Sequence, residues 1–339
     1  MYKKKILIVF GTRPELIKLY PLIIILKKNY NLKLFFTSQH DILIRNLIFR
    51  LNLKKNIISN SKIKNTSLVS FLSTGLNSLS NIIVKEKPNL IIAQGDTSST
   101  YLAAICALLN NIKFGHVEAG LRTFNKYNPF PEESFRQMIS RISDYNFCPT
   151  KTNYLNLLNE GINKSKLYIT GNTIIDSLNY FYKNDFSNKI KSNKSSVLIT
   201  LHRRENFMNF SDILVDNLIL LINKYKKINF TLVEHANPLV KKTFLEIKKK
   251  KLLNLEYIAP KDYQDFIGYL GTKNIVISDS GGIQEECLSL KIPLIVFREN
   301  TERVEGLNYN SVILSPPSKS RLVADFGRIL KRIKEASEL

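Results

Sequence analysis

Short apolar runs of strand length alternate with helix-length segments along the whole of this 339-residue chain. That alternation is the pattern of a parallel sheet covered by helices on both faces, and it excludes all-α and all-β architectures. Strands are expected at 5–10, 32–37, 90–94, 113–117 and 145–148, and again at 197–201, 229–233, 255–258, 274–278 and 294–297. A polar stretch over 183–196 separates the two series, so a domain boundary is expected between about 170 and 196. At about 150 residues per domain the chain holds material for two cores. The expected division is 1–175, 176–320, and a closing segment over 321–339 that packs back towards the first domain. Leu322, Phe326, Ile329, Leu330 and Ile333 recur there at helical spacing after Pro316-Pro317, which predicts an amphipathic helix.

Composition removes several function classes. Hydrophobic residues make up 44% of the chain, too many for a disordered protein. No uncharged apolar stretch reaches the roughly 18 to 20 residues of a membrane helix, since the run at Leu22 to Leu26 is closed by Lys27 and Lys28. Lys3 to Lys5 followed by Ile6 to Phe10 is too short for a signal peptide and ends in Gly11-Thr12-Arg13-Pro14, so it reads as a first strand. Cys106, Cys148 and Cys287 form no close pair, which points to neither a disulfide framework nor a metal knuckle, and the cytoplasm is the simplest compartment. The formal charge of +22 raises the question of nucleic acid, but the lysines are spread along the chain without interleaved aromatics. A generally basic, solvated surface is the expected reading, with neither nucleic acid nor membrane as partner.

In doubly wound sheets ligands bind beyond the carboxyl ends of the strands, so the residues that follow each strand carry the chemistry. Asp279-Ser280-Gly281-Gly282 leads from a strand into a helix, where small residues and free N–H groups suit a phosphate and the acids Glu285 and Glu286 stand where a ribose would lie. Gly11-Thr12-Arg13-Pro14-Glu15 follows the first strand, with capping-box spacing between Thr12 and Glu15. Ser38-Gln39-His40-Asp41, Gly95-Asp96-Thr97, Glu118-Ala119-Gly120-Leu121-Arg122 and His202-Arg203-Arg204-Glu205 follow other strands. Any one of them is explained as a cap or a surface ion pair. Their joint placement at strand ends is not.

Taken with Pro129-Phe130-Pro131-Glu132-Glu133, Gly171-Asn172-Thr173 and Thr301-Glu302-Arg303, these motifs other than the Ser38 segment resemble in order and spacing the non-hydrolysing UDP-N-acetylglucosamine 2-epimerases, over about residues 5 to 330. The resemblance implies an α/β protein of GT-B architecture, two Rossmann-like doubly wound domains facing a central cleft. It also implies interconversion of UDP-N-acetylglucosamine and UDP-N-acetylmannosamine by a cytoplasmic homodimer, with no cofactor and no metal. By that resemblance Asp96, Glu118, Glu132 and His202 match the catalytic set, the carboxylates in the first domain and His202 in the UDP-binding second. Arg13 and Lys18 match positions on the phosphate side. Ser280, Gly281 and Gly282 match the phosphate loop, Glu286 the ribose carboxylate, Arg303 an arginine that reaches the diphosphate, and Phe266 a position near uracil.

Which carboxylate serves as base for each face of the sugar stays open at this level. Departures fall at Ser38, at Gln94 and at Glu234 before His235, and the resemblance links the segments near Gln39-His40 and His235 to a second, activating nucleotide sugar. The other readings are an epimerase for a related UDP-2-acetamido sugar, a hydrolysing relative, and a GT-B glycosyltransferase. A glycosyltransferase would have no reason to keep the three carboxylates together.

Overall fold

The computed structural model describes residues 3–37, 42–59, 63, 67–182 and 195–337. The Gln39-His40 segment and most of the polar stretch over 183–196 lie outside them. The chain divides into two compact units, Met1–Ser177 and Leu178–Leu339.

The first unit is built on seven parallel strands: β1 (Lys5–Phe10), β2 (Asn31–Phe36), β3 (Ile57–Ser59), β4 (Leu90–Gln94), β5 (Lys113–Val117), β6 (Tyr145–Cys148) and β7 (Leu167–Ile169). They lie in the order β3-β2-β1-β4-β5-β6-β7. Its helices are α1 (Arg13–Asn29), α2 (Ile42–Arg50), α3 (Leu68–Glu86), α4 (Ser98–Leu109), α5 (Glu132–Ile142), α6 (Lys151–Asn159) and α7 (Thr173–Tyr182), the last crossing into the second unit. β1 shows why the sheet is parallel and central. Leu7, Ile8, Val9 and Phe10 are completely buried, so both faces are covered and the strand reads as a continuous apolar run rather than an alternating one. Its register sets Ile6 against both Leu32 and Leu90.

The second unit repeats the design with six parallel strands: β8 (Ser196–Thr200), β9 (Asn229–Val233), β10 (Leu255–Ile258), β11 (Ile275–Ser278), β12 (Leu294–Val296) and β13 (Val312–Leu314), in the order β10-β9-β8-β11-β12-β13. Its helices are α8 (Arg204–Asn209), α9 (Ser211–Lys224), α10 (Pro238–Lys249), α11 (Tyr263–Gly271), α12 (Gly281–Ser289) and α13 (Arg321–Ser337). In each sheet the strand order reverses once, between β1 and β4 and between β8 and β11. The loops leaving those four strands are where ligands gather in such sheets.

All ten expected strands are present with ends within a residue. β3, β7 and β13 are additional. Each has three residues and closes one edge of a sheet, and so short a run has no readable period.

The apolar stripe of α13 is spent within the second unit. Leu322, Phe326 and Ile329 are completely buried in the core that also holds Leu218, Phe230 and Ile313, with Tyr225 and Phe230 against the Phe326 ring. The buried face of α13 is thus part of the second unit's core. Phe326→Ala should therefore lower the stability of the second unit by about 3–5 kcal/mol. Urea unfolding is the measurement, and an unchanged transition for that unit would show that α13 does not belong to its core.

Candidate active site

At the reversal point of the first unit a buried carboxylate ties two loops together. Thr12 caps α1, and Glu15 reaches back in the capping box read from the sequence. Glu15 Oε2 accepts the N–H groups of Gly11 at 3.0 Å and Thr12 at 2.6 Å. Its Oε1 accepts the hydroxyls of Thr97 at 2.6 Å and Thr100 at 3.2 Å, at the start of α4. Burial pushes the Glu15 carboxyl above its ordinary value, and these donors act against that rise. Gly11 is required by closeness, since a Cβ there would lie 2.0 Å from Ser99 Oγ.

The catalytic carboxylates expected from the sequence stand at the ends of β4 and β5 and at the start of α5. Glu118 adopts a left-handed backbone at φ 66°, an uncommon conformation for a residue with a side chain. Its Oε1 is paired with Lys18 Nζ at 2.6 Å, and Gln94 Nε2 donates to its Oε2. Lys18, expected on the phosphate side, is thus buried against Glu118. Asp96 Oδ2 accepts from Arg136 of α5, from Nε at 2.7 Å and from Nη2 at 2.5 Å. Arg136 also gives Nη1 to Glu133 at 2.9 Å. Glu133 is completely buried and takes the N–H groups of Thr123 and Phe124, so it shapes the loop before α5. Glu132, beside it, opens α5 and is partly buried. Arg13 opens α1, partly exposed and without an ion pair among the described residues, which leaves its guanidinium for an anion.

His116, on β5, donates from Nε2 to the carbonyl of Gly95 at 2.8 Å, immediately before Asp96. Its Nδ1 is buried and has no hydrogen-bond partner among the described residues. A second ring proton would have no acceptor there, and burial lowers the imidazole to about 4.

In the second unit Asp279, completely buried, does for β8 and β11 what Glu15 does for β1 and β4. It accepts the N–H groups of His202 at 3.0 Å and Arg203 at 2.9 Å, and Asn206 Nδ2 at 3.0 Å. The exposed His202 ring lies with Nδ1 3.7 Å from Asp279 Oδ1 and stacks on His235. His235 Nδ1 accepts the Asn237 N–H at 3.1 Å, which needs a neutral ring, and burial followed by His202 lowers its pKa.

Ser280 is the N-cap of α12 but makes no side-chain cap bond, so the first N–H groups of that helix keep room for an anion. Gly281 admits the Arg303 guanidinium, whose Nη1 would be 2.4 Å from a Cβ at that position, while Gly282 leaves the next turn open. Arg303 Nε pairs with Glu285 at 2.9 Å, and its Nη1 with the buried Glu302, which also holds Arg298 at 2.9 Å. Glu286 is buried on the same helix, and Phe266 of α11 is half-buried against the core. Among the described residues no group of three or more His, Cys, Asp and Glu side chains could hold a metal ion.

Arg136, His116, Glu133 and Glu302 have no site role in the sequence reading. The i, i+3 spacing of Glu133 and Arg136 was a visible signal for a helix-face pair. That Arg136 also meets Asp96, 40 positions away, was not.

A family model described as UDP-N-acetylglucosamine 2-epimerase matches residues 25–339. The chain belongs to that family. The UDP-N-acetylglucosamine 2-epimerase of Campylobacter jejuni is 37% identical over 96% of this chain and 90% of its own. The crystal structure of the Neisseria meningitidis epimerase bound to UDP-GlcNAc superposes with a TM-score of 0.90 at 33% identity, covering 97% of this chain and 92% of that one. The Methanocaldococcus jannaschii epimerase in complex with UDP-GlcNAc and UDP gives 0.82 at 33% identity, covering 96% and 92%. With its two parallel sheets the chain has the paired Rossmann-like domains of the GT-B class.

The His116 geometry has a consequence for stability. Its pKa is depressed in the folded protein, so its contribution is fully present above about 6.5 and is lost as pH falls towards 4. The loss should be on the order of 3 kcal/mol across that window. Glu15, whose pKa is raised, runs the other way, stabilising most at low pH. The difference between wild type and His116→Asn therefore isolates the histidine. Unfolding free energies of the two proteins that change in parallel from pH 7 to pH 4 would contradict the assignment.

Proposed function

We propose that this chain interconverts UDP-N-acetylglucosamine and UDP-N-acetylmannosamine without hydrolysing them. Family membership over 25–339 supports the reaction class. The observation that carries the reading is the pairing of Asp96 with Arg136 and of Glu118 with Lys18 at the carboxyl ends of β4 and β5, with Glu132 opening the helix that carries Arg136.

The chemistry explains those residue types. The C2 hydrogen of the sugar is not next to a carbonyl, so removing it alone gives no stabilised anion. The C1–O bond to UDP breaks first in effect, leaving with its electron pair and placing positive charge on the ring. A carboxylate then takes the C2 proton and a C1=C2 double bond forms, giving 2-acetamidoglucal. Return of a proton to the other face of C2, with UDP oxygen adding back to C1, gives the epimer. Carboxylates stabilise the cationic ring and move the proton. The leaving pyrophosphate is an anion, for which the N-terminus of α12 at Ser280, Gly281 and Gly282 and the guanidinium of Arg303 are suited. Glu286 is assigned to the ribose, Phe266 to the uracil side, Arg13 to the phosphate, and His202 to the departing diphosphate. Lys18 is assigned to holding Glu118 rather than phosphate, because its ammonium is already engaged there.

The enzyme is read as a homodimer acting in the cytoplasm, with a UDP-N-acetylhexosamine as its substrate. Separately, among the described residues no helix is long and apolar enough to cross a membrane.

Incubation with UDP-N-acetylglucosamine in heavy water, followed by NMR at C2, tests the reading. Both epimers should appear with solvent deuterium at that carbon and no free N-acetylmannosamine. Released free sugar would mean a hydrolysing enzyme, and a C2 proton left in place would mean a transferase or a binding protein. Asp96→Asn should lower turnover by about 100- to 10,000-fold, with UDP affinity kept.

A further inference from the structure

The structure holds one catalytic carboxylate in a way that the sequence did not announce. Asp96 follows β4 in the turn Gly95-Asp96-Thr97, partly exposed, where a short side chain has several rotamers open to it. Arg136 closes that choice. Its Nε and Nη2 both point at Oδ2, at 2.7 Å and 2.5 Å, while Nη1 is anchored 2.9 Å from Glu133. Glu133 is itself immobilised by the N–H groups of Thr123 and Phe124 and by Gln137 Nε2, at 3.0–3.2 Å. A guanidinium gripped at one edge by a buried carboxylate presents a rigid pair of donors at the other.

On the reading of Asp96 as a catalytic group, we propose that Arg136 is the positioning residue of the epimerisation: it fixes the Asp96 carboxylate in one orientation and keeps it ionised. Asp96 then serves as proton acceptor and as anion towards the cationic ring, and the proton donor for the opposite face is one of the other carboxylates. The charge balance around Asp96 fits this role. Arg136 is paired with Asp96, while Lys18 is paired with Glu118 and Arg122 with Glu160. His116, which feels the Asp96 charge, is neutral above about 4, Glu118 has Lys18 as its cation, and Glu133 shares Arg136 with Asp96. Desolvating a guanidinium is unfavourable, and Glu133 alone would neutralise it. Its second edge is turned to Asp96.

The test compares Arg136→Gln, Arg136→Lys and the double variant Arg136→Gln/Asp96→Asn with wild type and Asp96→Asn. The readouts are pH profiles of kcat/KM, UDP affinity and deuterium incorporation at C2. Without the guanidinium the carboxylate binds its proton more readily. The acid limb of the Arg136→Gln profile should therefore move up by about one to three pH units, with kcat at neutral pH about 10- to 100-fold lower and UDP affinity unchanged. Arg136→Lys should keep the limb near its wild-type position, because a charge remains, yet stay at least about 10-fold slow, because an ammonium lacks the fork. In the Asp96→Asn background, loss of Arg136 should cost little more.

A wild-type acid limb in Arg136→Gln would overturn the proposal, as would a full additional loss in the double variant. Should Arg136→Gln not fold, as judged by circular dichroism and UDP binding, Arg136→Lys decides, and wild-type kcat there would overturn it. Failure of the underlying reading looks different: wild type itself would incorporate no deuterium.

Discussion

A carboxylate buried in a protein interior persists only if donors surround it, and each sheet of this protein places one at the point where its strand order reverses. Glu15 gathers two backbone N–H groups and two threonine hydroxyls from the loops after β1 and β4. Asp279 gathers two backbone N–H groups and an asparagine amide from the loop and helix after β8, on the loop after β11. In both units these are the loops that carry side chains assigned to the proposed reaction. The carboxylate converts two independent loops into one rigid platform, because removing it would strand several N–H groups with no acceptor. The geometry of the proposed site thus depends on groups to which the proposed reaction assigns no step.

On those platforms the two units carry opposite equipment. The first presents acids, each anchored by a cation or an amide: Asp96 on Arg136, Glu118 on Lys18 and Gln94. The second presents N–H groups, with the start of α12 uncapped by any side chain and Arg303 admitted beside it by the missing Cβ of Gly281. Acids suit a ring that becomes cationic, and donors suit a pyrophosphate that leaves as an anion. The bulk charge of +22 takes no part in this division. The cations near the acids, Lys18 and Arg136, are buried and paired.

Much of this architecture was legible in advance, for a reason visible in β1 and β8. Both are buried on two faces, so they appear as uninterrupted apolar runs and stand out from the helices around them. The three-residue edge strands β3, β7 and β13 carry no such signal, since three residues satisfy almost any period. The capping box of Thr12 and Glu15 was readable because both partners lie within one turn. The further bonds of Glu15 to Thr97 and Thr100 were not, because they cross more than 80 positions.

By itself the amino-acid order determined two doubly wound sheets, the strand ends at which chemistry would gather, and the residue types found there, since periodicity and turn composition are local properties. Only the tertiary structure decided the pairings among those residues. Lys18 pairs with Glu118, Arg136 holds Asp96, and α13 is folded into the second core. An ion pair is chosen by distance and burial after the sheets have formed, and neither quantity is written in the spacing of residues along a chain.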